Sequence, residues 1–158
     1  MGLPRCRGAI ALQVVLFLPV MLALLAIVFD LGAVFLARYQ LQTAVDFAAL
    51  AAAQDVDLTL LADGKRVLLA GPAKEDATEM IEANLAGTRG GGVAPEVSVT
   101  VHNPSTAEPD RDAWTGKPIW QPTVCVRARI PVTTLTAVLI GQSAIVEAHA
   151  DASVLERR

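Results

Sequence analysis

The sequence predicts an α+β fold: one long amino-terminal helix, transmembrane at first and then a stalk, packs on a small antiparallel sheet, with a second short helix. Three observations predict it. An uncharged apolar run extends from Gly8 to Phe29, a helical pattern continues beyond it to about Ala53, and three later segments alternate apolar and polar residues with period two. They divide the chain into a cytoplasmic amino-terminal segment (1–8), a transmembrane helix (9–29), a helical stalk (30–54) and an extracytoplasmic α+β domain (55–158).

The run IALQVVLFLPVMLALLAIVF meets the length of about 20 residues that a helix needs to cross roughly 30 Å of hydrocarbon. A secretory signal peptide shares the basic start, but its apolar region spans only about 7–15 residues, so the longer run here reads as an anchor. Pro19 lies mid-span, where neighbouring helices or an adjusted backbone can satisfy the carbonyl it leaves free. Asp30 ends the run and sets the membrane boundary, because a carboxylate at the bilayer centre costs about 2.5–3.5 kcal/mol. Arg5 and Arg7 precede the span and only Arg38 follows closely, which keeps the amino terminus in the cytoplasm and exports the rest. The predicted topology is a single crossing with the amino terminus inside.

Beyond Asp30, Leu31, Val34, Phe35, Leu41, Val45, Ala48 and Ala52 recur at three- and four-residue spacing. A continuous helix from Ala9 to Ala53 would be about 67 Å long at about 1.5 Å per residue. A second helix is read from Pro72 to Gly87, with Pro72 in its first turn, Glu75 and Asp76 near its positive end and Gly87 as its stop. Its buried face comprises Ala73, Ala77, Met80, Ile81 and Leu85. Gly90 to Gly92 make a turn; with no lysine or helix start behind them they are not a phosphate loop. The three strands are centred on Val97 to Val101, Val124 to Val132 and Val146 to Val154, and the stalk's alanines are the natural cover for their common apolar face. The turn-rich stretch Asn103 to Pro118 joins the first two strands. The apolar excursion TTLTAVLIG joins the last two.

Composition narrows the function classes. A net charge of −3 supplies no basic field for nucleic acid, which is therefore excluded as a partner. Aromatics are 4% of the chain, so stacking platforms for sugars or bases are not expected, and no small-molecule substrate is evident. Cys6 and Cys125 fall on opposite sides of the predicted span and cannot pair with each other. Cys6 follows a poor lipobox and reads as an ordinary cysteine. No nucleophile, base and orienting group come together in sequence, so the chain is not read as an enzyme, and no cofactor is expected. His102 and His149 stand alone on the polar sides of their strands and read as surface histidines, with no metal site assigned. Asp110-Arg111-Asp112 lacks the oxygen spacing of a calcium loop and reads as an exposed turn.

The stretch RGAIALQVVLFLPVMLALLAIVFDLGAVFLARYQLQTAVDFAALAAAQ resembles the amino-terminal segment of the TadE/TadG-like proteins of the tight-adherence (Flp) pilus system. The resemblance is carried by Arg7-Gly8 before the span, Leu18-Pro19 within it, Asp30 and Gly32 at its exit, and Arg38, Leu41, Gln42, Ala44, Asp46 and Ala48 to Ala51 on the stalk. The ending VRARIPVTTLTAVLIGQSAIVEAHADASV is also similar to that group, so both ends are covered and 55–122 are not. The resemblance implies a pilin-like fold and a structural component of a pilus or secretion assembly, minor pilin-like or pseudopilin-like. Its partners would be the lipid bilayer, other pilus-assembly or secretion membrane proteins and pilin-like subunits. In pilin-like relatives a peptidase cuts after a glycine, which here implies a processing site between Gly8 and Ala9. The fifth mature residue would then be Gln13, where those relatives carry a glutamate. Glutamine hydrogen-bonds but cannot neutralise a new terminal ammonium, so an uncleaved anchor of the TadG kind stays open beside maturation.

Helix–helix assembly contacts are sought at Gln13, Pro19, Asp30, Arg38 and Asp46. The last three are eight residues apart and drift about 80° per step around the helix. They either pair with partner helices or are simply solvated, with Asp30 marking the interface. Trp114 and Trp120 flank the central turn and are either a surface contact patch or packing for the sheet. A membrane-anchored extracellular binding or adhesion module, centred on Trp114, is the alternative to the structural role.

Overall fold

The computed structural model describes residues 7–86, 94–105, 108–135, 137, 141 and 143–154, with side chains from Ala11 onward. Arg5, Cys6, Gly87, Gly90 to Gly92 and most of the TAVLI stretch, which figure in the sequence reading, lie outside the described residues.

Helix α1 runs unbroken from Arg7 to Ala52 with Pro19 inside it. The missing Pro19 donor leaves the Val15 carbonyl without its usual helical partner. Along the first half the apolar side chains have no protein cover: Leu12, Phe17, Met21 and Phe29 are all more than half exposed. Among the described residues this is the one helix long and apolar enough to cross a membrane, and it fits a single-pass anchor. In its last third the same helix turns inward. Leu41, Ala44, Val45, Ala48, Ala49 and Ala52 are at most 1% exposed, and their spacing forms the stripe of a helix packed on one side.

That stripe rests on a three-stranded antiparallel sheet of β1 (Glu96–His102), β4 (Thr123–Val132) and β5 (Ala144–Ser153), in the order β1-β4-β5. The register sets Val99 beside Val126 and Val126 beside Ala150. Period two therefore puts Val124, Val126, Ala128, Ile130 and Val132 of the central strand into one core with the α1 stripe, joined by Val146 and Ala148. Alanine on the helix and valine on the sheet let the two layers approach closely, which is how a chain poor in aromatics builds a dense interior. The stalk and the outer domain share this core.

Helix α3 (Ala70–Leu85) packs against α1 and the edge strand β1. It begins two residues before the predicted Pro72 start, which leaves Pro72 within the first turn, where backbone donors have no helical acceptor to lose. Ala73, Ala77, Ile81 and Leu85 are buried at a strict four-residue spacing, and Met80, expected inside, is on the exposed side.

Two short elements were not foreseen. Helix α2 (Leu58–Ala62) is capped by the Asp57 carboxylate, which accepts from the Thr59 and Leu60 N–H groups. The chain then reverses at Gly64, whose φ of 77° suits glycine. Asn103 ties this segment down by accepting from Leu68 N–H at 2.8 Å and donating to its carbonyl at 3.0 Å. Further on, β2 (Asp110–Arg111) and β3 (Pro118–Ile119) pair as a small hairpin that folds back over the sheet face opposite α1.

Candidate functional site

The α1 positions separate by azimuth. Asp30 is 18 residues, or five full turns, before Ala48, so both lie on the stripe that faces the sheet. Asp30 is accordingly buried, and its Oδ1 accepts the Leu135 N–H at 2.7 Å, in the turn that follows β4. The next link in that turn is Ala137 N–H donating to the Thr134 hydroxyl at 3.0 Å. Two eight-residue steps later Asp46 has rotated to the outer face, where it accepts from the Gln42 amide at 2.8 Å. Gln42 also donates to the His149 carbonyl at 3.0 Å, tying α1 to β5. Arg38 is exposed. Around it, Leu31, Phe35, Tyr39 and Leu50 leave apolar surface uncovered on the outer face of the helix. Gln13 and Pro19 are exposed within the bare half, and Gly8 and Ala9 lie in the first turn of α1.

The second polar arrangement is on the far side of the sheet. Alternation sends Ser98, Thr100 and His102 from β1, Cys125, Arg127 and Arg129 from β4, and Glu147, His149 and Asp151 from β5 to this face. Residues 110–114 cover part of it. His102 Nδ1 meets Asp110 Oδ2 at 2.5 Å, and both His102 and Asp112 are buried rather than at the surface. The exposed turn expected at Asp110-Arg111-Asp112 is instead half lid, because the hairpin is held by the sheet it crosses.

Asp112 organises its own loop. Its carboxylate accepts from the Trp114 N–H at 3.0 Å and the Thr115 N–H at 2.9 Å, and also from the Thr115 hydroxyl. Burial pushes this carboxyl up, but those donors outweigh it and hold it below the usual range. The His102 side chain does the same for Asp110. Arg127 hydrogen-bonds Glu147 and lays its guanidinium over the Trp114 ring, 3.6 Å from the centroid. Arg129 adds a second contact to Glu147 at 3.3 Å. Glu147 is held low chiefly by its Arg127 hydrogen bond. His149 Nε2 lies 3.1 Å from Asp151 Oδ1 and 3.9 Å from Asp112 Oδ2. Beneath, the Cys125 thiol is buried, and desolvation with the nearby Asp151 raises its pKa far above the thiol norm. A cavity of about 110 Å³ opens among Asp112, Trp114, Cys125, Arg127 and His149.

Trp114 thus half-covers Arg127. Trp120 is 63% exposed and borders a separate groove with Lys65, Arg66 and Pro104. The two histidines stand out in the sequence, but their carboxylate partners do not. The signal was there: His149-x-Asp151 and Asp110-x-Asp112 each place two donors on one side of an extended chain.

Comparison with curated proteins and with solved structures gives no match. Comparison with family profiles does: residues 8–55 match the Tad family, described as "Putative Flp pilus-assembly TadE/G-like". The matched residues are nearly the whole of α1, bare half and core stripe together. The amino-terminal segment of this chain, from Gly8 to Asp55, is thus similar to that family, and the match does not extend to the outer domain.

Proposed function

We propose that the chain is a membrane-anchored structural component of a Flp/Tad-type pilus or secretion assembly, minor pilin-like or pseudopilin-like, with its amino terminus in the cytoplasm and its α+β domain outside. The observation that carries this reading is the continuity of α1, which is bare and apolar over a membrane's thickness and is then the core helix of the outer domain. Such a helix transmits the orientation of its anchor rigidly to the domain, as a subunit that must be set in register with its neighbours requires. Arg38, Asp46 and the exposed apolar residues beside them are the surface available to those neighbours, and Gln13 and Pro19 are available within the bilayer. The partners proposed are other pilus-assembly or secretion membrane proteins.

Fractionation and intact-mass measurement of the protein from its native membrane test this. Extraction by detergent alone, together with co-purifying envelope proteins, is the expected result. A mass starting at Ala9 identifies a matured, pilin-like subunit, whereas one retaining Arg5 and Arg7 identifies a permanent anchor. Recovery in the soluble fraction refutes the reading. The exposure of Trp120 beside its groove favours a second reading, an extracellular binding module. Trp120→Ala separates the two: loss of adhesion with intact co-purification supports the module.

A further inference from the structure

We propose that Asp112, His149 and Asp151 form a binding site for a divalent transition-metal cation of the zinc class, which clamps the 103–122 segment to the sheet. The three residues each offer one ligand atom, and these atoms lie within 4.8 Å of one another. A tetrahedral cation with ligands at about 2.0–2.1 Å needs neighbouring donors roughly 3.4 Å apart. The measured 3.1 Å and 3.9 Å from His149 Nε2 to the two carboxylates bracket that value.

Hydrogen bonding does not account for the arrangement. His149 Nε2 is buried and makes no hydrogen bond, although both carboxylates are near, because neither meets it in hydrogen-bonding geometry. A cation between the three groups would satisfy the nitrogen, with the Asp112 and Asp151 carboxylates as its charged partners. The surroundings fit a ligand set. Asp112 is oriented by Thr115 and the Trp114 N–H, as ligating carboxylates are by outer hydrogen bonds. Arg127, the cation across the strand from His149, is committed to Glu147 and the Trp114 ring. The adjoining cavity of about 110 Å³ has room for water to complete the coordination. One imidazole with two carboxylates suits zinc and its neighbours, whereas calcium and magnesium prefer oxygen alone. The ligands come from the lid and from β5, so the ion would join two segments otherwise held by His102–Asp110 and Arg127–Trp114. The site is independent of the pilus reading.

The full chain in detergent micelles, stripped with chelator, is titrated with zinc chloride at pH 7.5 by calorimetry. One site per chain with a dissociation constant of about 10 µM or tighter is expected, together with a zinc-dependent rise in melting temperature. His149→Gln and Asp151→Asn should each weaken binding by at least tenfold, and Cys125→Ser should leave it unchanged. Zinc-edge absorption of the wild-type complex needs no variant to fold and should show nitrogen and oxygen neighbours only. A sulfur neighbour, binding weaker than 100 µM, or wild-type affinity in folded His149→Gln each overturns the proposal.

Discussion

Replacing Leu41 by alanine tests the setting of α1 on the sheet. Leu41 is fully buried between the helix and the central strands, and its neighbours along the stripe are Ala44, Val45 and Ala48. Removing its outer carbons forfeits roughly 2–2.5 kcal/mol of transfer energy at about 0.8 kcal/mol per buried CH₂. Alanines on a rigid helix cannot swing in to fill the space. A residual cavity of a few tens of Å³ at about 24 cal/mol per Å³ adds roughly 1 kcal/mol. The expected loss is about 3–3.5 kcal/mol, or a fall of roughly 10 °C in melting temperature for a domain of this size. Phe47→Ala is the paired control: it removes a larger side chain from the same helix, but one that is 53% exposed, and should change stability by no more than about 0.5 kcal/mol. Both variants are made in the full chain and melted in micelles. The tryptophan band of the near-ultraviolet dichroism is the readout, because Trp114 and Trp120 are in the outer domain and the long helix carries phenylalanine and tyrosine but no tryptophan. If Phe47→Ala cost as much as Leu41→Ala, the azimuth of α1 and the core built on it would be wrong.

Two further predictions concern the polar groups. Asp57, Asp110, Asp112 and Glu147 all have folded pKa values depressed below the ordinary ones. Their contribution is therefore complete above the unfolded values, about 3.9 for Asp and 4.3 for Glu, and is lost as pH falls through the folded ones. Asp55 runs the other way, raised by burial and by Asp76, but it is outnumbered. The melting temperature should fall steadily below about pH 4.5, with early loss of the Trp114 dichroic signal; a rise between pH 5 and 3 contradicts the assignment. At the other end of the domain, Asp30→Ala should cost about 1.5–3 kcal/mol through the Leu135 N–H it accepts, and should speed hydrogen exchange there. Asp30→Asn keeps an oxygen at that place and should restore most of the loss, whereas equal damage from both variants would show that the charge acts elsewhere.

The long helix and the three strands were legible because each repeats one period over many residues: the helical stripe Leu41 to Ala52, and the alternations around Val99, Val126 and Ala148. Boundaries and edges were less so. Met80 fits a helical face as well as Ile81 does, and only the placement of α3 against α1 and β1 decides between them. Helix α2 has five residues, too few to show a period. The polar face was not legible, because whether His102 and Asp112 are solvated depends on where the 103–122 segment lies, and that is set by contacts across the fold such as Arg127 with Trp114. Asp30 shows the same limit: an acidic residue just past an apolar run marks an interface in sequence, but its azimuth, shared with Ala48, buries it against the turn that follows β4.

The azimuth of Asp30 also bears on assembly. Leu31, Phe35, Arg38, Tyr39, Asp46 and Leu50 fall within about 60° of a common direction around α1, on the face left exposed by the domain. The helix is therefore divided by face as well as by length: the stripe through Asp30 and Leu41 packs on this chain's own domain, and the opposite stripe is exposed and, on the assembly proposed above, is the face a neighbouring helix would meet. A neighbouring helix would meet apolar side chains with one cation at Arg38 and one anion at Asp46, the latter already accepting from Gln42. An apolar surface with a single pair of opposite charges eight residues apart gives a second helix a preferred axial register, because sliding it out of step strands both charges against hydrocarbon surface. The shared core then carries that register into the outer domain, since α1 cannot shift along the sheet without dislodging Leu41 and the alanines around it.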